Sequence, residues 1–245
     1  PMRYLVNSRL RIYLREEAAE EDDEVFALDH LSAFFLKQRL ADGWLRDREP
    51  SPEVLRAEGA LPHGTFAELA YTDQQDALAP LRDRLAAYRG ADTRYRDLQL
   101  RAELADGSLF LSGRIAGIHP ELGLLRYRAS KIKGVDRLAL WIDHLAWCAA
   151  GGGGPSSLFT SDGGFVFRDG IASDEAKAKL KGYLDLYWAG IHRPLPLLPG
   201  ASYAYASSLH KSSTGDPMTA AWRDWAGNGF MDIPGDRDDA YVELL

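Results

Sequence analysis

Helical periodicity dominates the first ninety residues of the chain. Residues 2–11 mix apolar with basic positions and predict a short basic helix. Asp29 is a residue type that caps helix N-termini, and the apolar positions after it keep a 3.6-residue period as far as Trp44. These positions are Leu31, Phe34, Phe35 and Leu40. A second helix with a wide apolar face is therefore predicted, and the acidic run before it, residues 16–24, is typical of a solvated loop.

Prolines divide this helical part. The pattern breaks at residues 50–52 and again at 61–64, before apolar positions return at spacings of three and four. The returning positions are Leu78, Leu81, Leu85 and Tyr88. They predict a third helix that stops near Gly90, and Pro80 inside this segment either kinks the helix or occupies its first turn.

The period then changes from 3.6 to two. Residues 98–104 and 109–115 alternate apolar with polar positions on either side of Asp106 and Gly107, which form a typical turn pair. This pattern predicts a β-hairpin. A third strand is predicted over residues 124–128, and the three strands are expected to be neighbours.

The rest of the chain mixes helical and extended segments. In chain order they are a helix ended by the glycines at 151–154, short strands over 157–160 and 165–168, a helix opened by residues 173–175, an extended segment at 194–199 and a helix over 216–227. The helix before the glycines has an apolar stripe of Leu138, Trp141, Leu145 and Cys148. The helix opened by residues 173–175 has an apolar stripe of Ala176, Leu180, Tyr183, Leu184 and Tyr187. The predicted fold class is α/β, a central mixed sheet flanked by helices, with residues 1–92 as a helical part packed on a core formed by 93–245.

Composition narrows the classes of function. The net charge of -7 argues against a surface that coats nucleic acid indiscriminately, so any DNA contact must be local. The single cysteine, Cys148, cannot form an internal disulfide, and the chain has neither a signal peptide nor an apolar stretch of membrane-spanning length. These features predict a cytoplasmic protein without membrane contact. The opening residues Pro1 and Met2 indicate a piece of a longer protein.

A hairpin, a third strand and a long helix in this order resemble the core of the restriction-endonuclease-like nucleases, named PD-(D/E)xK after their metal-site residues. The resemblance implies Gly-x-Ile-Asp on the second strand and Asp-x-Lys on the third, where two carboxylates would bind Mg²⁺. Here residues 113–116 read Gly-Arg-Ile-Ala, and the third strand carries Arg126 and Arg128. The resemblance therefore implies degenerate positions at Ala116, Arg126 and Arg128, with no catalytic residues, no metal site and no cofactor in this domain.

These positions lack the two carboxylates of the nuclease pattern and carry positive charge instead. Arg126 and Arg128 share one face of the strand, and two guanidinium groups in place of two carboxylates would repel Mg²⁺. Contact with phosphate and an internal ion pair are equally compatible with the two arginines. Arg114, Lys131 and Lys133 flank them, so the predicted nucleic-acid-binding residues are Arg114, Arg126, Arg128, Lys131 and Lys133.

Several short segments point to one family. They are Phe-Ala-Leu-Asp-His-Leu at 26–31, Gln-Arg-Leu at 38–40, Leu-Pro-His-Gly-Thr-Phe at 61–66, Leu-Ser-Gly at 111–113, Leu-Trp-Ile-Asp-His-Leu at 140–145, the stretch 148–154 and Leu-Phe at 158–159. In this order they resemble the C-terminal part of the RecC family, the gamma subunits of the exodeoxyribonuclease V helicase–nuclease complex (RecBCD). The resemblance covers most of the chain.

The resemblance implies a non-catalytic subunit. Such a subunit would thread and separate DNA strands, help to recognise a recombination hotspot and scaffold RecB-type and RecD-type subunits during double-strand break repair by homologous recombination. It implies contact with double-stranded and single-stranded DNA through the complex. Mg²⁺ and ATP would be used by the partner subunits.

Two other functions stay open at this point. A plain protein-interaction module would make no DNA contact, whereas an active nuclease would need acids such as Glu103, Asp136 or Asp143 to converge on the site. Trp141 is expected in the core, and the aromatic stripe of Tyr183, Tyr187 and Trp188 is expected in the core or at an interface. The scattered histidines lack partners at ligand spacing and are expected to have no metal or catalytic role; they are His119, His144, His192 and His210.

Overall fold

A computed structural model describes residues 2–13, 28–104, 107–196, 198–211, 215–229 and 234–243. The helical part comprises α1 (Met2–Tyr4), which continues as a π-helical turn (Leu5–Arg9), α2 (His30–Leu45), α3 (Pro52–Ala57) and α4 (Phe66–Leu85), which ends in a 3-10 turn (Ala86–Tyr88). The predicted helices at the N-terminus and after Asp29 are thus confirmed, the first with an end at Arg9 instead of residue 11. The acidic run 16–24 lies outside the described residues.

Asp29 caps α2 as predicted, because its Oδ1 accepts hydrogen bonds from the amides of Leu31 and Ser32 at 2.7 and 2.8 Å. The buried face of this helix is narrower than the apolar pattern indicates. Its buried side chains are Leu36, Leu40, Ala41 and Leu45. Leu31 and Phe35 are 63% and 60% exposed, so at the N-terminal end of α2 the predicted apolar face is wider than the face that packs on the core.

The proline break at residues 50–52 is also the start of a helix. Ser51 caps α3 and Pro52 occupies its first turn, where a missing amide costs nothing. Pro80, in contrast, lies in the interior of α4, so the first-turn interpretation of that proline is wrong. After α4 the chain turns at Gly90, whose φ of 64° favours glycine.

Five strands form one mixed sheet in chain order: β1 (Arg94–Leu104), β2 (Gly107–His119), β3 (Gly123–Arg128), β4 (Ser156–Thr160) and β5 (Gly164–Phe167). The predicted hairpin of β1 and β2 is confirmed, although its turn residue Asp106 lies outside the described residues. Neighbouring strands are antiparallel except β3 and β4, which are parallel and are connected through α5 (Gly134–Ala149). The α/β class and the mixed sheet follow from this arrangement.

Two hydrophobic clusters cover the two faces of the sheet. Leu125 and Ala129 pack against buried residues of α2, α3 and α4, whereas Leu124 packs against β1, β2, α5 and α6 (Ser173–Gly190). Successive residues of β3 therefore belong to opposite clusters, as the two-residue period of a strand requires. The side chains of Leu124 and Leu125 are almost fully buried, so β3 is the central element of the fold.

The C-terminal part adds α7 (Pro199–His210) and α8 (Pro217–Ala226). The predicted helix after Asp216 is confirmed, since Asp216 accepts a hydrogen bond from the amide of Met218 at 3.1 Å. The pattern did not predict α7, in which Ala201 alone is buried. On α6 the core interpretation is wrong for Tyr187, which is 42% exposed. Trp141 on α5 is half-buried and packs against the core cluster, in agreement with its expected place in the core. In the ranges described above, no helix combines the length and apolarity needed to cross a membrane.

Candidate functional site: a cleft lined by paired charges

An open cleft of about 500 Å³ lies between α2, β3 and α5. Four charged side chains line it, namely Arg126, Arg128, Asp136 and Asp143. Its other lining residues are Phe34, Gln38, Tyr127, Ala139, Leu140 and Leu158. The cleft thus contains both arginines at the degenerate positions, together with two of the three acids considered as alternative metal ligands.

Arg126 binds three acceptors at once. Its Nε donates to Oδ2 of Asp143 at 2.6 Å, and its Nη1 donates to the carbonyl oxygens of Ala116 at 2.8 Å and Leu125 at 3.0 Å. The side chains of Arg126 and Asp143 keep 32% and 37% of their surface exposed. Positions 116 and 126, which the nuclease pattern assigns to its two acids, therefore do lie together.

A β-bulge in β2 creates the gap that Arg126 fills. Opposite Arg94 to Arg96 of β1, strand β2 has one extra residue, so the register shifts at Ala116 and Gly117. Gly117 has a φ of 76°, and a Cβ there would lie 3.1 Å from Nη1 of Arg126. Glycine is needed at this position because both the backbone conformation and the approach of the guanidinium disfavour a side chain.

Arg128 forms the second ion pair of the cleft. Its Nη1 donates to Oδ1 of Asp136 at 2.8 Å and its Nε donates to the hydroxyl of Ser130 at 2.6 Å. The guanidinium carbon also lies 5.3 Å from the ring centroid of Phe34 on α2. Oδ2 of Asp136 accepts from the amide of Lys133 at 2.8 Å, so this carboxylate joins β3 to the first turn of α5.

A hydrogen-bond network fixes the α2 wall of the cleft. The hydroxyl of Tyr127 donates to Oδ1 of Asp42 at 2.7 Å, and Gln38 donates to the same oxygen at 3.1 Å. Burial and the neighbouring Asp42 carboxylate raise the pKa of Tyr127, so the phenol stays protonated as a donor. Gln38 also accepts from the amide of Ala129 at 3.0 Å.

The flanking basic residues occupy different surroundings. Arg114 lies on the hairpin, where its Nε donates to Asp97 at 3.0 Å and its guanidinium carbon lies 4.0 Å from the Tyr95 ring centroid. Lys131 and Lys133 are exposed in the loop between β3 and α5. The five predicted nucleic-acid-binding residues therefore divide between the cleft, its adjoining loop and the hairpin, and their contact with DNA stays a prediction.

The charges in the cleft balance. Asp136 and Asp143 each pair with an arginine, while Glu103 pairs with Arg101 far along the hairpin, opposite Ser108. Within the part of the chain that the structure describes, no three His, Cys, Asp or Glu side chains lie close enough to hold a metal ion. Both arginines thus take the internal ion-pair arrangement.

Sequence reasoning left an internal ion pair open for both arginines but did not name their acid partners, although a signal for them exists. Asp136 and Asp143 are seven residues apart, which is about two helical turns and places them on one face of α5. The Cα atoms of the two acids are therefore about 10 Å apart along the helix, and those of the two arginines are about 7 Å apart along the strand. Complementary charges at comparable spacings on a strand and its following helix predict paired contacts once the two elements are known to pack.

Two histidines lie in the core rather than at the cleft. The Nδ1 of His144 hydrogen-bonds the hydroxyl of Ser156 at 2.8 Å, and its ring stacks with Trp141 and Phe167. His119 packs edge-on against Tyr88. Burial lowers the pKa of both histidines below the ordinary value of 6.5, an effect that a backbone hydrogen bond at Asp169 partly offsets for His144.

The buried histidines predict a loss of stability in mild acid. The unfolded chain binds protons at both side chains near their ordinary pKa, whereas the folded chain does so only at lower pH. The stabilisation is therefore complete above the ordinary pKa and falls as pH falls, by up to about 1.4 kcal/mol per histidine for each pKa unit between the two states. Urea denaturation between about pH 7.5 and about pH 5.5 measures it. His144→Gln should make the dependence of the unfolding free energy on pH less steep, because His119 alone then contributes; a dependence as steep as that of the wild type would refute the assignment.

Comparisons with known proteins identify the family. The family described as RecC C-terminal domain matches residues 1–210. The RecBCD enzyme subunit RecC of Escherichia coli (strain K12) is 29% identical over 260 residues, which cover 100% of this chain and 22% of that protein. The same subunit of Buchnera aphidicola subsp. Schizaphis graminum is 23% identical over 256 residues, covering 100% and 24%, and that of subsp. Acyrthosiphon pisum is 27% identical over 210 residues, covering 83% and 19%. This chain spans about a fifth to a quarter of the length of these relatives. The chain belongs to the RecC C-terminal domain family.

Proposed function

We propose that this chain is the C-terminal, catalytically inactive nuclease-like domain of a RecC-type gamma subunit of exodeoxyribonuclease V. It scaffolds RecB-type and RecD-type subunits and handles DNA in the cytoplasm during double-strand break repair by homologous recombination. The observation that carries the proposal is the pair of ion pairs, Arg126 with Asp143 and Arg128 with Asp136, in the cleft next to Ala116. The family match supports the assignment to this subunit.

The chemistry of the cleft favours a non-catalytic role. Metal-dependent cleavage of a phosphodiester needs carboxylates that are free to bind one or two Mg²⁺ ions. Here each carboxylate of the cleft is neutralised by a guanidinium within hydrogen-bond distance. The order of hairpin, third strand, helix and parallel fourth strand supports the nuclease-like comparison, and the inverted charges support the loss of its activity.

Assembly with partner subunits tests the proposal directly. We expect the longer protein that contains this chain to co-purify with RecB-type and RecD-type subunits, and the complex to unwind and degrade linear double-stranded DNA. Inactivating the nuclease site of the partner should abolish DNA cleavage even though this chain is intact, because the cleft of this chain has no nuclease activity. Metal-dependent cleavage that survives in that complex, or cleavage by this chain alone with Mg²⁺ or Mn²⁺, would contradict the proposal.

The exposed lysines in the loop between β3 and α5 test direct DNA contact. Charge reversal of Lys131 and Lys133 together should weaken DNA binding by the complex and lower the slope of log affinity against log salt by about two, because each lost phosphate contact removes about one released counterion. The matched control reverses Lys179 and Lys181, which pair with acids on α6. An unchanged slope in the first variant would favour the alternative, a protein-interaction module without DNA contact.

A further inference from the structure

Strand β2 has an edge that the sheet leaves largely unpaired. It pairs with β1 along the hairpin, but with β3 only through Ile118–Leu124 and His119–Gly123. The two strands separate at the bulge, where Arg126 bonds the Ala116 carbonyl. Among the described residues, no strand pairs with the second edge of residues 107–116, so every second amide and carbonyl of that stretch lacks a ladder partner.

The two edges of the hairpin differ in their protection. Exposed edges are usually guarded by charged side chains, proline or a covering element. The outer strand β1 carries five charged residues, Arg94, Arg96, Asp97, Arg101 and Glu103. Residues 107–116 of β2 carry one, Arg114, and no proline. A long, sparsely charged edge of this kind is suited to pairing with another strand.

Gly113 lies in the middle of this edge without an intramolecular reason to be glycine. A Cβ at this position would meet nothing within 4 Å, and its φ is outside the left-handed region. A glycine in a strand interior weakens the strand and often marks the close approach of another backbone. The space above Gly113 therefore remains open for a large side chain from a neighbouring strand.

The side chains of β2 favour a polypeptide over a phosphate chain as the neighbour. Leu109 and Leu111 are half-buried on one face, and Phe110 on the other face is 70% exposed. The arginines of the exposed face are already neutralised, since Arg114 pairs with Asp97 and Arg101 pairs with Glu103. Apolar positions and balanced charge fit a protein strand, whereas a nucleic-acid backbone would require a surplus of cations.

We infer that residues 107–116 of β2 accept an extended segment of a partner protein as an added strand. The segment lacks proline at the positions that bond to β2. It places apolar side chains beside Leu109 and Leu111 and a large side chain over Gly113. The inference rests on the proposed function, because the partner is a subunit of the same complex.

The test combines a substitution with amide hydrogen exchange in the longer subunit and its complex. Gly113→Val should leave folding unchanged or strengthen it, since valine is a good strand former, yet should weaken assembly by about tenfold or more by filling the space over residue 113. The matched control is Gln99→Val, also exposed in the middle of the hairpin but on β1. It should assemble normally. In the wild type, alternate amides of residues 107–116 should exchange more slowly in the complex than in the free subunit.

Each other outcome is decisive. A complex that forms with unchanged exchange over residues 107–116 overturns the inference and leaves the proposed function intact. Failure of the wild-type subunit to form any complex overturns the proposed function itself. If amide exchange over residues 107–116 becomes slow only after single-stranded DNA is added, the neighbour is a nucleic acid. If exchange there is already slow in the free longer subunit, the neighbour is a segment of the same polypeptide. Either result overturns the inference of a partner strand.

Discussion

Gly123→Ala is expected to lower the free energy of unfolding by about 3 kcal/mol or more. Gly123 opens β3 with a φ of 83°, a conformation that costs a non-glycine residue about 1 kcal/mol or more. An added Cβ would lie 2.0 Å from the carbonyl oxygen of Pro155. That oxygen accepts the hydrogen bond from the amide of Leu124 at 2.9 Å, so the clash falls where β3 meets β4.

Denaturation in urea or guanidinium measures the loss for Gly123→Ala. The control is Gly163→Ala, because a Cβ there meets nothing within 4 Å and φ is not in the left-handed region. Its effect should stay within about 0.5 kcal/mol. Equal stability of the two variants would show that the Pro155 carbonyl does not lie close enough to Gly123 to exclude a Cβ.

Local patterns were sufficient to predict most elements, because each pattern reflects a local rule. The two-residue period marked β1 and β2, and Asp216 followed by Pro217 marked the start of α8. Burial depends on what lies opposite, so the same rules failed at Leu31 and Phe35 of α2, which no element covers among the described residues. Helix α7 was not predicted, because its apolar side chains do not form a stripe at helical spacing.

The candidate site was predictable only in part. The nuclease resemblance singled out Ala116 and Arg126 as the positions of its two acids, and in the structure the guanidinium of Arg126 donates a hydrogen bond to the Ala116 carbonyl. The acid partners could not be assigned, because Asp136 and Asp143 reach β3 only through the packing of α5 on the sheet. The bulge at Gly117 was equally hidden, since the hydrophobic pattern alone does not show where two strands separate.

Rebuilding the acids of a nuclease site should make the stability of the chain depend on a divalent metal. Ala116→Asp, Arg126→Asp and Arg128→Lys in one chain would put carboxylates at the two positions where the nuclease pattern has its acids, and would remove the guanidinium partner of Asp143. Without metal, repulsion and the lost hydrogen bonds should lower the free energy of unfolding by about 2–4 kcal/mol. If the positions converge on a cation, saturating Mn²⁺ at about 100 times its Kd restores about 2.7 kcal/mol.

The control for the rebuilt site has the same shape without the charge. Ala116→Asn and Arg126→Asn with Arg128→Lys should lose stability but gain nothing from Mn²⁺, because amides are weaker ligands than carboxylates. Denaturation with and without Mn²⁺, together with calorimetric titration, measures both chains. A rebuilt chain that Mn²⁺ does not stabilise would mean that positions 116 and 126 are not those of a metal site, and the nuclease-like comparison would lose its basis. Stabilisation of that chain alone would show that Arg126 occupies the place where a metal ion could bind, so that the ion pairs of the cleft substitute for the metal in holding β2, β3 and α5 together.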